Sequence, residues 1–221
     1  MQLTQMKNDL VEGCDRLASK GFLHTSYDSF SLRVPGKTAM VLVSGQKDWR
    51  SLSVVDVRVV PFSVKDNSSG LHAFIYEQRG DVGCVAISSP RGVGLLASLG
   101  VPLPPIFDEQ VRHIGTSEGS LANTEAVRCG NLWKAFEKGA NAALLGEQLV
   151  CLGMTRERAL FNTELYEKCA RAYVLAKACD KRINHIPFWV RMIAYRRLLK
   201  DEAVACTSYR EGRIPEAIQA Y

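Results

Sequence analysis

The chain has 221 residues, a formal net charge of +5, 47% hydrophobic residues and 23% charged residues. These values are typical of one folded domain, or one domain with a small appendage, and exclude a disordered chain. No apolar run reaches the roughly 20 residues that span a bilayer, and the N-terminus lacks the basic and apolar segments of a secretion signal. The small positive charge gives no sign of nucleic-acid binding. Because no membrane-spanning run or secretion signal is evident, we expect a cytoplasmic protein that does not bind membranes.

The first half of the chain alternates helices with short strands. Helical spacing of apolar residues predicts a helix over 3–20. The predicted elements that follow are strands over 30–34, 39–45 and 52–62, a helix over 71–80, a strand over 82–87 and a helix over 91–99. The proline-rich segment VPLPPIF then predicts an extended link.

The second half is predicted to be mainly helical. A helix over 124–138 precedes either a strand pair or one bent strand over 141–152, and Thr155 can cap a long helix over 156–180. A basic amphipathic helical extension, 181–221, is expected to pack on the core or on a neighbouring subunit. Together the elements predict an α/β (α+β) fold, in which residues 1–180 form one domain with a central, mainly antiparallel sheet flanked by helices.

The seven cysteines and four histidines follow no pattern typical of a disulfide framework or a zinc site. The cysteines form no CxxC pair and are odd in number, so we expect buried free thiols, with Cys84 the first to test for reactivity. The histidines form neither HxH nor HxxxH. His72, among apolar neighbours, is expected to be a structural residue rather than a ligand.

Four stretches in the right order resemble the class II aldolase/adducin family, which contains fuculose-phosphate and ribulose-phosphate aldolases and epimerases. Within residues 8–180 they are FSLRV, LVSGQKDWRSLSVVDV, LHAFIYEQRGDVGCVAISSP and the segment that begins NAALLGEQLVCLG. The resemblance implies the three-layer fold of that family, lyase chemistry on a sugar phosphate with zinc as cofactor, and a homo-oligomer, possibly a tetramer, with active sites between subunits.

The zinc ligands of the family are missing at the matching positions. The His-x-His of the family, which supplies two zinc ligands, corresponds to residues 87–89, and the Asn-His-Gly that supplies the third corresponds to residues 146–148. The family's carboxylate falls near Ser68, and its catalytic tyrosine falls at Ser120. Isoleucine cannot ligate a metal and serine is a poor zinc ligand. We therefore expect a degenerate metal site without zinc, and no other cofactor.

Two groups of polar residues remain as candidates for function. Hydroxyls and glycine turns that could hold a phosphate are Ser29, Ser44, Gly45, Ser68 and Ser69. They could equally be ordinary turn residues. An acid–base group in place of the metal site would consist of Glu147, Ser88, Ser89 and His113, although Glu147 could instead be solvated or paired with an arginine.

Three functions stay open on this basis. The first is a family member with a degenerate metal site that binds a small anionic, sugar-phosphate-like ligand or acts as an oligomeric scaffold. The second is a metal-independent lyase, isomerase or condensing enzyme that uses a remodelled acid–base site in the same cleft. The third is a metal-dependent aldolase whose ligands differ from those of the family.

Overall fold

The computed structural model describes residues 2–115, 121–122 and 135–216. Its helices, in chain order, are α1 (Gln2–Ser19), α2 (Gly70–Gln78), α3 (Arg91–Ser98), α4 (Asp108–His113), α5 (Arg156–Ala178) and α6 (Phe188–Arg210). Its strands are β1 (Ser29–Arg33), β2 (Ala39–Ser44), β3 (Arg58–Pro61), β4 (Cys84–Ser88), β5 (Leu121–Ala122), β6 (Ala142–Leu145) and β7 (Gln148–Gly153). Most of the helix predicted over 124–138 lies outside these residues, as do Ser120 and Cys129.

The strands of the described ranges form one sheet with the order β3-β2-β1-β4-β7-β6-β5. Every neighbouring pair is antiparallel except β5 and β6, which are parallel. The predicted central, mainly antiparallel sheet is therefore confirmed, and residues 141–152 form a strand pair rather than one bent strand. Thr155 caps α5, since its hydroxyl accepts the backbone N–H of Arg158 at 3.3 Å.

The two faces of the sheet pack on different helices. Side chains alternate along β4: Cys84 and Ala86 belong to an apolar cluster with residues of α1, α3 and α5. Val85 and Ile87 belong to a second cluster with residues of α2. The molecule thus has the three predicted layers, with α2 alone among these four helices on its face of the sheet.

The strand predicted over 52–62 is wrong in its first half, where Val54–Asp56 forms a 3-10 turn. Asp56 Oδ2 accepts hydrogen bonds from the N–H of Ser53 at 2.9 Å and from its hydroxyl at 3.1 Å. Because a carboxylate that binds nearby backbone N–H groups stabilises a turn, the alternating valines do not continue as a strand. β3 therefore begins at Arg58.

Helix α4 is not predicted by the sequence pattern, because the prolines before it favour an extended chain. Asp108 and Glu109 occupy its first turn, and Arg112 and His113 its last. This order of charges is the one that the helix dipole favours.

The predicted basic extension contains α6, which contacts the rest of the chain. Leu198, Ala205 and Tyr209 are buried, and Glu202 Oε1 accepts a hydrogen bond from Arg79 at 3.0 Å. None of the described helices is both long enough and apolar enough to cross a membrane.

Candidate functional site

A cavity of about 640 Å³ lies where β1 begins and β2 ends, beside the start of α2. Ser29 is paired in register with Ser44 on one side and with Ile87 on the other. Antiparallel pairing therefore brings these three strand ends to one place. Four of the five predicted anion-binding residues line the cavity: Ser29, Ser44, Gly45 and Ser68.

The fifth, Ser69, does not line the cavity and is the residue before α2. Its hydroxyl is buried and donates to the carbonyl of Val64 at 2.9 Å. Hydrogen bonds from Ser68 and Ser69 converge on Asp66 and lower the pKa of that carboxyl. The loop over 64–69 is therefore held by its own polar groups, and Ser69 supports the loop rather than facing a ligand.

Arg58 is a residue of this site that the sequence analysis missed. Its Nη2 donates to Ser44 Oγ at 3.1 Å and to Ser68 Oγ at 2.8 Å, and its Nη1 lies 3.7 Å from a carboxylate oxygen of Asp66. A positive charge therefore stands directly behind two hydroxyls of the cavity wall. The available signal was positional, since Arg58 lies on the strand that pairs with β2, whose last residue is Ser44.

A buried chain of hydrogen bonds runs inward from the cavity through His72. Ser29 Oγ lies 2.8 Å from His72 Nε2, Ser31 Oγ lies 2.7 Å from His72 Nδ1, and the Tyr76 hydroxyl lies 2.8 Å from Ser31 Oγ. Burial lowers the pKa of His72 to about 3. The imidazole is therefore neutral near pH 7, in agreement with the expectation of a structural, hydrogen-bonded histidine.

A second cavity, of about 480 Å³, adjoins the first and contains Ser89 and Glu147. Three lining residues are common to the two cavities: Tyr27, Leu145 and Gln148. Ser89 Oγ donates to Asp28 Oδ1 at 2.7 Å, while Glu147 is exposed. Asp28 Oδ2 accepts the backbone N–H groups of residues 24 and 25, at 2.8 and 2.7 Å.

Ser88 and His113, the other two predicted acid–base residues, line neither cavity. Ser88 is fully buried at the end of β4, and its hydroxyl has no hydrogen-bond partner within the described ranges. His113 lies in α4 between Phe161 and Arg158. Burial and the charge of Arg158 lower its pKa to about 3. The structure thus brings together only two of the four residues.

The side chains at the expected metal site do not fit zinc. Ile87 lines the first cavity with an apolar side chain, and the Ser89 hydroxyl is committed to Asp28. No cluster of three or more His, Cys, Asp or Glu that could hold a metal ion occurs in the part of the chain that the structure describes. Cys84 is buried as well, and burial raises the pKa of its thiol far above the usual value, so it is not a thiolate near pH 7.

Comparison with known proteins identifies a family that the sequence matches and solved structures that share the fold. The family model of the class II aldolase and adducin N-terminal domain matches residues 8–174. An L-fuculose 1-phosphate aldolase from Glaciozyma antarctica PI12 superposes with a TM-score of 0.72 at 19% identity, covering 94% of this chain and 89% of that one. No curated protein matches the sequence.

Two further solved structures are similar. An aldolase II superfamily protein from Pseudomonas syringae has a TM-score of 0.68 at 16% identity, covering 88% of this chain and 84% of that one. The L-fuculose-1-phosphate aldolase from Thermus thermophilus has a TM-score of 0.65 at 17% identity, with coverages of 79% and 95%. At such identities the likeness establishes the fold alone.

Proposed function

Because the chain belongs to the class II aldolase and adducin family, we propose that the cavity between β1, β2 and α2 binds a small anionic ligand of the sugar-phosphate type. The observation that carries this proposal is the contact of Arg58 with the hydroxyls of both Ser44 and Ser68 on the cavity wall. The family's zinc site is degenerate in this proposal, and ligand binding does not use a metal.

The wall suits an anion because it combines positive charge with a hydroxyl proton donor. The Ser44 hydroxyl accepts a hydrogen bond from Arg58, so its own proton is free for a ligand oxygen. Lys65 also lines the cavity and pairs with Glu77 at 2.7 Å. Arg58 does not line the cavity itself, so it is expected to favour an anion through its positive charge and through the Ser44 hydroxyl that it holds in place.

The similar structures support the choice of ligand class. Two of them are L-fuculose 1-phosphate aldolases, proteins named for a substrate that is a sugar phosphate. Residues 29, 44, 45 and 68, which the family resemblance singled out, are among those that line the cavity.

An acid–base enzyme in the same cleft has less support. Only Ser89 and Glu147 of the four candidate groups share a cavity. The proton of Ser89 is used by Asp28 in a partly buried hydrogen bond, so a serine–glutamate pair would first have to break that bond. Assembly into a homotetramer and a cytoplasmic location remain our predictions.

Calorimetric titration with inorganic phosphate and with L-fuculose 1-phosphate tests the proposal. Arg58→Met is expected to weaken binding about tenfold, or about 1.4 kcal/mol, because it removes the positive charge behind the cavity wall and the hydrogen bond that holds the Ser44 hydroxyl. Arg50→Met is the matched control, since Arg50 is exposed, lines a different cavity and carries the same charge. Equal weakening in both variants, or no binding to the wild-type protein, would contradict the proposal.

A further inference from the structure

The polarity of the hydrogen-bond chain through His72 follows from the contacts themselves. There are four contacts: Tyr76 hydroxyl to Ser31 carbonyl (3.1 Å), Tyr76 hydroxyl to Ser31 Oγ (2.8 Å), Ser31 Oγ to His72 Nδ1 (2.7 Å) and His72 Nε2 to Ser29 Oγ (2.8 Å). Four protons are available, one each from Tyr76, Ser31, neutral His72 and Ser29. Each contact therefore needs one proton of its own.

Only one assignment gives every contact a proton. A carbonyl oxygen can only accept, so Tyr76 donates to the Ser31 carbonyl. The Ser31 hydroxyl then donates to Tyr76, His72 Nδ1–H donates to Ser31, and the Ser29 hydroxyl donates to the bare Nε2 of His72. Burial favours the protonation states that this assignment requires. It lowers the pKa of His72 to about 3, so the ring is neutral and carries one proton, and it raises the pKa of Tyr76 well above its usual value, so the phenol stays protonated.

This polarity determines what Ser29 offers to the cavity. Its proton points inward to His72, so the lone pairs of its oxygen are what a ligand meets. Ser44 is the opposite case, since its oxygen accepts from Arg58 and its proton is free. The cavity thus has a donor at Ser44, with Arg58 behind it, and an acceptor at Ser29.

We propose that Ser29, held in place by His72, accepts a hydrogen bond from a hydroxyl of the ligand, so that the cavity selects a hydroxylated anion over a bare one. The inference rests on the proposed function and narrows it. The ligand's charged group lies against Ser44, in front of Arg58, and a hydroxyl group on its carbon chain faces Ser29. Ser29 is therefore a specificity-determining residue rather than a donor to the phosphate.

The test compares glycerol 3-phosphate with propyl phosphate, which have the same charge but differ in hydroxyl groups. Wild-type protein is expected to bind glycerol 3-phosphate about tenfold more tightly, the effect of one buried hydrogen bond. Ser29→Ala is expected to remove that preference and leave propyl phosphate binding unchanged. Ser44→Ala, the matched control, is expected to weaken both ligands by the same factor.

Each outcome has one meaning. An unchanged preference in Ser29→Ala overturns the inference while leaving anion binding intact, whereas no binding of either phosphate to the wild-type protein overturns the proposed function. Nitrogen-15 NMR of the histidine rings gives a readout that does not depend on ligand. A proton on Nδ1 of His72 with none on Nε2 is expected, and a proton on Nε2 would overturn the inference.

Discussion

Two buried polar clusters in this molecule differ in two respects: one is charged and fully enclosed by protein, and the other is neutral and borders a cavity. The first surrounds Arg79, which is 3% exposed. Its guanidinium donates to both oxygens of Asp81 at 2.8 and 2.7 Å, to Asn141 at 2.9 Å, to Glu202 at 3.0 Å and to backbone carbonyls of residues 136, 137 and 140. Every side of this cation is enclosed by its own chain.

The second cluster is the chain Tyr76–Ser31–His72–Ser29, which is neutral and opens at one end. Its last oxygen, on Ser29, borders the cavity of about 640 Å³. A closed, charged cluster can only hold parts of the fold together, here α6 and the loop before β6 against the end of α2. The open, neutral chain leaves one hydrogen-bond acceptor, Ser29, for a ligand. The difference between the clusters therefore predicts that Arg79 stabilises the fold and that Ser29 contributes to ligand binding.

Removing the cation of the closed cluster is expected to have the largest effect. Arg79→Met leaves Asp81 and Glu202 buried without their counter-charge, and breaking a buried ion pair on one side typically costs about 3–5 kcal/mol. Urea unfolding measures the loss. Arg58→Met, in which a half-exposed arginine is removed, is expected to cost less than about 1 kcal/mol. Similar losses in the two variants would refute the distinction between the clusters.

A smaller loss is expected where α6 packs beside the start of β4. A Cβ atom added to Gly83 would lie 1.7 Å from the Tyr209 hydroxyl and 2.5 Å from the Met154 carbonyl. Overpacking of this kind costs about 1–3 kcal/mol, so Gly83→Ala should lower the unfolding free energy by that amount.

The matched control is Gly94→Ala in helix α3, where an added Cβ meets no atom within 4 Å. This change is expected to be neutral or to stabilise by about 0.5–1 kcal/mol, because alanine is the better helix former. Equal losses of stability in the two variants, measured by thermal unfolding, would show that the packing of Tyr209 against Gly83 does not stabilise the attachment of α6 to the sheet.

The third expected effect depends on pH. The pKa of His72 is lowered to about 3 in the folded protein, against about 6.5 for a free histidine. Between these values the unfolded chain binds the proton, so His72 contributes stability above pH 6.5 that is lost as the pH falls. The loss is about 1.4 kcal/mol per pH unit.

Urea unfolding of wild-type protein and His72→Gln at pH 7 and pH 5 measures this difference. The wild-type protein is expected to lose more stability than the variant on acidification. His113→Gln should act in the same sense, since the pKa of His113 is also lowered to about 3. Identical pH dependence in wild-type protein and His72→Gln would show that this imidazole is not buried in its neutral form.

Much of the fold is predictable because its signals are local. Apolar spacing predicts α1, the Pro-Gly turn predicts the β1–β2 hairpin, and Thr155 predicts the start of α5. The strand wrongly predicted over 54–56 also depends on a local interaction, because there the side chain of Asp56 binds a backbone N–H group that a strand would use. Pattern alone does not show which of the two interactions prevails.

The candidate site is only half predictable, because its contacts join residues that are far apart in the sequence. The family resemblance points to Ser44 and Ser68, yet Arg58 joins them only because β3 pairs beside β2. His72 reaches Ser29 across 43 positions, and His113 lies apart from Glu147 because α4, which no pattern predicted, carries it elsewhere.

A crystal structure of the protein with glycerol 3-phosphate tests the central claim most directly. We expect the phosphate group within hydrogen-bond distance of Ser44, on the side of the cavity that Arg58 backs, with a hydroxyl of the ligand on Ser29. Another cavity, of about 440 Å³ and lined by Lys20, Arg50, Arg91 and Arg171, is the strongest competitor for an anion. A phosphate bound only there, with the cavity at Ser29 and Ser44 empty, would contradict the account.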